Sequence, residues 1–323
     1  MIKEEDIKYH TPDPTPYDWA ETAYFNFYIP EKNILGLVYL VHRQGIGATI
    51  SDIQIVDRWS TRIDDTAYVN ASNHNPVVDK AEKFSLPNGL SFEAKSLRDY
   101  KISYQSKDVD LELNCSGLMA PFDIHDPEMD PMASSDPVEA LEKTGFGAAY
   151  AAHFDMTVKI SGALRIDDET HPIDCIATMD HSWGPRPEID LSTLLWINAH
   201  FDENYFAHAL FTYDPYAPKG QQHIFRHGYA VINGKVRGLI AGEVSAERDG
   251  FYAKSAQAKF TDIDKTEHVF TGVAKNNHPW LPYGNCLSPI AMMHWTCKEF
   301  PNGGYGTFLE GFPLNNRLRR GKS

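Results

Sequence analysis

Cysteine is scarce. There are four in 323 residues (Cys115, Cys175, Cys286 and Cys297), none in a C-x-x-C pair, so no disulfide framework is expected. Long apolar runs are missing too, and nothing approaches the ~18–20 residues of a membrane span. The amino terminus, Met1-Ile2-Lys3-Glu4-Glu5-Asp6, is acidic and lacks an apolar stretch, so no secretory signal is expected. Basic residues are outnumbered, 30 Lys and Arg against 44 Asp and Glu, and the net charge of −14 repels nucleic acid and anionic lipid. Familiar catalytic motifs are also absent: G-x-S-x-G, H-E-x-x-H and G-x-x-x-x-G-K-[ST] do not occur. Gly45-Ile46-Gly47 and Gly145-Phe146-Gly147 lack the third glycine and the βαβ setting of a dinucleotide site. These absences predict a reduced, cytoplasmic chain with no cofactor, no nucleic-acid partner and no membrane span.

What is present is an ordinary globular composition, 42% apolar and 23% charged, in a chain long enough for about two domains. Period-two alternation recurs from end to end. Leu90, Phe92 and Ala94 alternate with polar residues, as do Val109, Leu111, Leu113 and Cys115. The clearest stretch is Phe154, Met156, Val158, Ile160, Gly162, Leu164 and Ile166, with Asp155, Thr157 and Lys159 between them. Such alternation predicts antiparallel strands with one face on a core and the other in water. Turn residues fall where hairpins need them, at Pro87-Asn88-Gly89, Asp167-Asp168-Glu169, Asn233-Gly234 and Asn302-Gly303-Gly304. Asn233-Gly234 fits a two-residue type I′ turn. A single short helix is expected after Asp136, with Pro137 at its first position. It lies in an otherwise irregular segment, residues 121–147, of the length typical of lids and domain crossovers. The fold class is therefore all-β with little helix, in two tandem antiparallel β units divided as residues 1–150 and 151–323.

One cluster stands out chemically: Asp180-His181-Ser182-Trp183-Gly184-Pro185-Arg186, at the end of a strand over residues 173–179. His181 shares parity with Ile173, Cys175, Ala177 and Met179, so extended geometry points it to the core side and Asp180 away. Arg186 is held near the strand end, where its fork can pair with Asp180 or a substrate carbonyl. On the following strands Trp196, Asn198 and His200 share a face, and His208 and Tyr229 add polar groups among aromatics; His294 and Glu310 follow near the carboxyl end. An apolar cavity with a few convergent polar groups is the usual form of a small-molecule site. A lone His or Asn on a strand is more often a hydrogen-bonded core residue, so weight falls on the Asp180–Arg186 group. A metal set of His181, His200 and His208 matches no known ligand spacing, and no metal is expected.

The stretches His153-Phe154-Asp155, Ser161-Gly162-Ala163-Leu164-Arg165-Ile166-Asp167-Asp168-Glu169-Thr170 and Asp180-His181-Ser182-Trp183-Gly184-Pro185-Arg186 resemble the AttH-like, carotenoid-hydratase-related superfamily. The opening Trp19-Ala20-Glu21-Thr22-Ala23-Tyr24-Phe25-Asn26-Phe27-Tyr28 is similar to its bacterial members. The resemblance implies two tandem lipocalin-like barrels or sandwiches. It also implies a cofactor-independent lyase, hydratase or dehydratase, acting on a hydrophobic, terpenoid-like alkene or alcohol in a β-barrel cavity. In the hydratases Asn follows the matching Asp-His, where this chain has Ser182. On this reading Asp180 and His181 are the acid–base pair. Trp183, Arg186, Trp196, Asn198, His200, His208, Tyr229 and His294 would bind substrate. A shape-driven isomerase or cyclase is the alternative, as is a non-catalytic carrier. The expected partner is a small hydrophobic molecule, and a homodimer is compatible with the sequence.

Overall fold

The computed structural model describes residues 2–187, 191–214, 217–218 and 220–313. At 62% strand and 7% helix it is all-β. The first unit takes residues up to Val56, Ala67–Asp123 and Tyr150–Arg186. Its strands are β1 (Trp19–Ile29), β2 (Ile34–Arg43), β3 (Ala48–Val56), β4 (Tyr68–Pro76), β5 (Lys83–Ser85), β6 (Leu90–Ala94), β7 (Asp99–Gln105), β8 (Val109–Gly117), β9 (Phe122–Asp123), β10 (Ala152–Ile166) and β11 (Glu169–Pro185). They form one antiparallel sheet in the order β4-β3-β2-β1-β11-β10-β8-β7-β6-β5, with β9 beside β10. The outer strands β6, β7 and β8 alternate buried and exposed residues as their sequence pattern predicts. By contrast, β1 and β2 are buried on both faces, which is why Ile34-Leu35-Gly36-Leu37-Val38-Tyr39-Leu40-Val41 reads as a continuous apolar run.

The second unit takes Asp57–Thr66, Ile124–Ala149 and the chain from Pro187 onward. It contains α1 (Pro137–Lys143) and the strands β12 (Leu194–Asp202), β13 (Tyr205–Tyr213), β14 (His223–Ile232), β15 (Lys235–Asp249), β16 (Tyr252–Asp262), β17 (Glu267–Ala274), β18 (His278–Tyr283), β19 (Cys286–Thr296) and β20 (Gly304–Pro313). The order is β17-β16-β15-β14-β13-β12-β20-β19-β18, and pairing of β17 with β19 closes eight of these strands into a barrel. Its interior is filled by alternate residues: Leu195, Ile197 and Ala199 on β12, Ala207, Ala209 and Phe211 on β13, then Phe260, Phe270, Met293, Trp295 and Phe308. Gly272 is required there, because a Cβ at that position would lie 2.5 Å from the Trp295 indole.

Local expectations hold where chemistry dictates them. Asn233 and Gly234 have φ of 52° and 72°, the paired positive values of a type I′ hairpin. Asp136 caps α1 by accepting from the backbone N–H of Val138 and Glu139, at 2.9 Å each. The four cysteines are free. The unit boundary differs from that expected. Residues 151–186, assigned by sequence to the second unit, belong to the first, because β10 and β11 pair over fifteen registered positions and β11 then joins β1. The Asp-His-Ser-Trp-Gly block is thus the centre of the first sheet and no part of the second.

Glu310 on β20 also resolves structurally. It is 2% exposed and grips the Arg248 guanidinium with both carboxylate oxygens, Nη2 donating at 2.8 Å. Burial alone would raise its pKa; the His223 ring 3.8 Å away and the hydrogen-bonded Arg248 charge outweigh this and hold it below the usual carboxylate range. Replacing Arg248 by Met should therefore strand a buried charge and cost ~3–5 kcal/mol in denaturant unfolding. Adding Glu310→Gln to that variant should recover part of the loss, and a double variant no more stable than Arg248→Met would contradict the pairing.

Candidate active site

Through the Asp180–Trp183 block, β11 stays fully paired on both sides. Asp180 lies opposite Tyr24 and Asp155, His181 opposite Ala23 and Phe154, Ser182 opposite Thr22 and His153, and Trp183 opposite Glu21 and Ala152. No bulge interrupts the register. Neighbouring side chains therefore project to opposite faces, and the expected Asp180–His181 pair does not form. Each residue instead belongs to a separate cluster.

On the His181 face, the Trp183 indole is stacked on the His10 imidazole, with centroids 3.6 Å apart and planes 4° from parallel. His10 pairs with the fully buried Glu21 carboxylate through its ring (3.1 Å) and its backbone N–H (2.8 Å), and its far nitrogen meets Asp6 at 3.2 Å. Burial opposes both charges, yet the hydrogen bonds win, raising His10 and lowering Glu21 into an ion pair. His181, 5.3 Å from Trp183 and 5.6 Å from Phe154, is pushed down to about 4 by burial and is a neutral imidazole. Beside it lies a cavity of about 20 Å³ lined by Ala23, Leu40, His42, Phe92, Phe154 and Met179. That is room for about one water and far too little for a terpenoid. His10, Glu21 and His181 each bring one donor atom within 4.8 Å of the others. A divalent cation there would have to break the His10–Glu21 pair.

The opposite face is acidic and basic at once. Asp155 and Asp180 stand directly across the β10–β11 register, Asp155 fully buried and Asp180 only half-buried. Asp155 meets His153 Nε2 at 3.0 Å, and the His153 ring stacks on Tyr150 at 4.4 Å. Arg186, 4% exposed, donates from Nη2 to Ser182 Oγ at 2.7 Å, Ser182 shares a 2.8 Å hydrogen bond with Thr22, and the guanidinium lies 5.4 Å from the Tyr150 ring centroid. Burial, then the neighbouring Asp155 charge, push the Asp180 carboxyl well above the usual carboxylate range, with Arg186 opposing. The geometry sets two carboxyls across one register, with Asp180 holding its proton more tightly than an ordinary aspartate. Tyr150, His153 and Asp155 were not singled out from sequence as site residues; the alternation rule assigns Asp155 to water, whereas it is 0% exposed.

The other sequence candidates lie in the second unit. Trp196, Asn198 and His200 are buried, but they occupy the face of β12 opposite to Leu195, Ile197 and Ala199, so they do not line the barrel interior. Asn198 is bound to Thr307 by its amide N–H (2.8 Å) and accepts from the Thr307 backbone (2.9 Å). His200 meets the Tyr305 carbonyl at 3.1 Å. The His208 ring lies 4.9 Å from Trp196 and 5.5 Å from Tyr229. His294 contacts the Asn302 carbonyl at 3.1 Å, near the turn after β19. These contacts are those of packed, hydrogen-bonded residues.

Burial lowers four histidines, His42, His181 and His278 to about 4 and His200 to about 3. Each is neutral in the folded protein and titrates near 6.5 when unfolded. Their contribution is complete above pH ~6.5 and is lost as pH falls towards each folded value, roughly 3 kcal/mol for His42, His181 and His278 and roughly 5 kcal/mol for His200. Urea unfolding across pH 7.5 to 4.5 should show stability falling steeply below pH 6.5. His42→Gln should flatten the slope, and a flat profile in the parent would contradict neutral buried imidazoles.

Solved structures share this architecture. Kievitone hydratase from Nectria haematococca aligns over 94% of this chain and 90% of its own, at 12% identity and a TM-score of 0.51. A protein described as AttH from Nitrosomonas europaea aligns over 97% of both chains, at 12% identity and 0.55. CghA bound to Sch210972 aligns over 92% and 89%, at 11% identity and 0.55. The resemblance to AttH-like proteins thus holds for the fold. No curated protein matches the sequence. The sequence profile of a domain of unknown function, DUF7064, matches residues 3–310, and the chain belongs to that family.

Proposed function

We propose that this protein is a cofactor-independent hydro-lyase that adds water to, or removes it from, a largely apolar substrate, with Asp180 as the general acid. The observation that carries the reading is the pair of carboxyls facing each other across β10 and β11, one fully buried and bonded to His153, the other half-buried. Two like charges at that separation cannot both ionise cheaply, so one proton is retained, and it rests on Asp180. A neutral carboxylic acid protonates an alkene carbon or a leaving hydroxyl, while Asp155 with His153 accepts the proton released from water or from carbon. The fold shared with a hydratase, as kievitone hydratase is named, supports this choice of reaction. His181, facing a cavity with space for about one water, has no part in the chemistry on this reading.

Infrared spectroscopy tests the acid directly. A protonated carboxyl C=O band should persist at pH 7 and vanish in Asp180→Asn; no difference between the two proteins would defeat the assignment. A folded-state pKa raised above the unfolded value destabilises the protein at higher pH, so Asp180→Asn should raise Tm more at pH 7.5 than at pH 4. With an apolar cell extract in ¹⁸O-labelled water, label incorporation should fall by ~10²–10⁴-fold in Asp180→Asn and persist per folded molecule in His181→Ala. A shape-driven cyclase or a carrier would incorporate no label in any of the three.

A further inference from the structure

Arg186 is a buried cation with an unfilled hydrogen-bond donor. Its backbone N–H donates to the Asp18 carbonyl at 2.7 Å, which fixes the residue just past the end of β11. Its Nη2 donates to Ser182 Oγ, which is itself held by Thr22, so the guanidinium plane is set by a chain of two hydroxyls. Tyr150 lies beneath the plane. Its Nη1 is buried and has no partner, and among the described residues no carboxylate forms an ion pair with the group. A guanidinium stays charged at every relevant pH, and its five N–H groups ordinarily find oxygens. A strut that merely tied strands together would spend those donors on backbone carbonyls. Here the side chain is oriented by one hydroxyl and leaves a donor over, on the face of β11 that carries Asp180.

We propose that Arg186 Nη1 binds a carbonyl or carboxylate oxygen of the substrate, conjugated to the carbon–carbon double bond that gains or loses water. This rests on the hydro-lyase reading and narrows its substrate to α,β-unsaturated carbonyl compounds, or their β-hydroxy counterparts, carried on an apolar skeleton. In hydration, the water oxygen bonds to the β-carbon and its proton passes to Asp155 and His153. The double-bond electrons move toward the carbonyl, giving an enolate whose oxygen is held by Arg186. The enolate pair then takes the Asp180 proton at the α-carbon. Asp155, directly opposite, returns a proton to Asp180. One water is added and no electron donor or acceptor is needed. An anchored enolate replaces a free carbocation, which removes the need for an aromatic cation cage around the reacting carbon.

Benzalacetone and 1-phenylbut-1-ene share a carbon skeleton and differ in the conjugated oxygen, so they are the probes. Wild-type protein should bind the ketone about tenfold or more tighter than the hydrocarbon, because the hydrocarbon leaves a buried donor unpaired. The bound ketone absorption should shift to the red, as expected when a cation bonds its carbonyl, and should bleach as water adds. Arg186→Gln should lose both the preference and the red shift, while Arg186→Lys keeps part of each; circular dichroism establishes that both are folded. Asp180→Asn should keep the preference and the red shift and lose only the bleaching. Red shift and preference without bleaching in the wild type would leave the oxygen anchor standing and remove the hydro-lyase reading for this probe. Equal affinity for the two probes, no binding of either, or a red shift that survives in Arg186→Gln would overturn the anchor.

Discussion

The unbroken pairing of β11 with β1 on one side and β10 on the other is the constraint from which the rest follows. Two ladders leave the Asp180–Trp183 backbone no freedom to bulge, so parity alone decides which side chains meet. A one-residue slip of β11 would exchange the clusters: His181 would lie beside Asp155, and Asp180 would be thrust beside the Glu21 carboxylate. The apolar residues of the same strand, Ile173, Ala177 and Met179, resist such a slip because they would be carried to the polar side with it. Core packing and site geometry are thus specified by the same register.

Much of this was legible in the sequence. Period-two alternation over β6 to β8 and along β10 marks half-covered strands, and the Asn-Gly turn and the Asp136 cap have chemistry that admits few alternatives. Parity also predicted that Asp180 and His181 diverge. What sequence could not supply was which polar face would be covered. Asp155 and Thr157 read as water-facing because alternation with Phe154, Met156 and Val158 is the signature of a half-exposed strand, yet both are 0% exposed. A strand buried on both faces can keep polar residues on one of them when those residues bond one another, and nothing local announces it. The candidates Trp196, Asn198 and His200 share a buried face of β12, but it is not the face that lines the barrel interior. Their shared parity was correct, but the alternate residues Leu195, Ile197 and Ala199 are wholly apolar and take the barrel interior.

The boundary between units was misplaced because the irregular segment over residues 121–147 looks like a linker. Chain order and spatial order part company there. The chain leaves the first sheet after β9, contributes Ile124–Ala149 to the second unit, then returns to lay down β10 and β11. A long antiparallel hairpin such as Ala152–Pro185 carries enough pairing to be placed by its own register, and it joins β1 on one side and β8 on the other.

The two faces of β11 separate polar groups that hold structure from those available for chemistry. On the His181 face, the Glu21 carboxylate accepts from His10 twice and from Thr11, so its burial is offset by partners within the protein. Such a cluster ties the segment before β1 to the sheet; on this face His181 Nε2 is also buried without a partner, beside a cavity with room for about one water. On the other face the accounts do not close: a buried guanidinium has a donor without an acceptor, and a half-buried carboxyl faces another of the same sign. Charges left in this state lower stability, and folds retain them chiefly where a ligand completes the set. On the proposed reading the conjugated oxygen of an enolising substrate supplies the acceptor that Arg186 Nη1 lacks, and its α-carbon takes the proton that Asp180 holds.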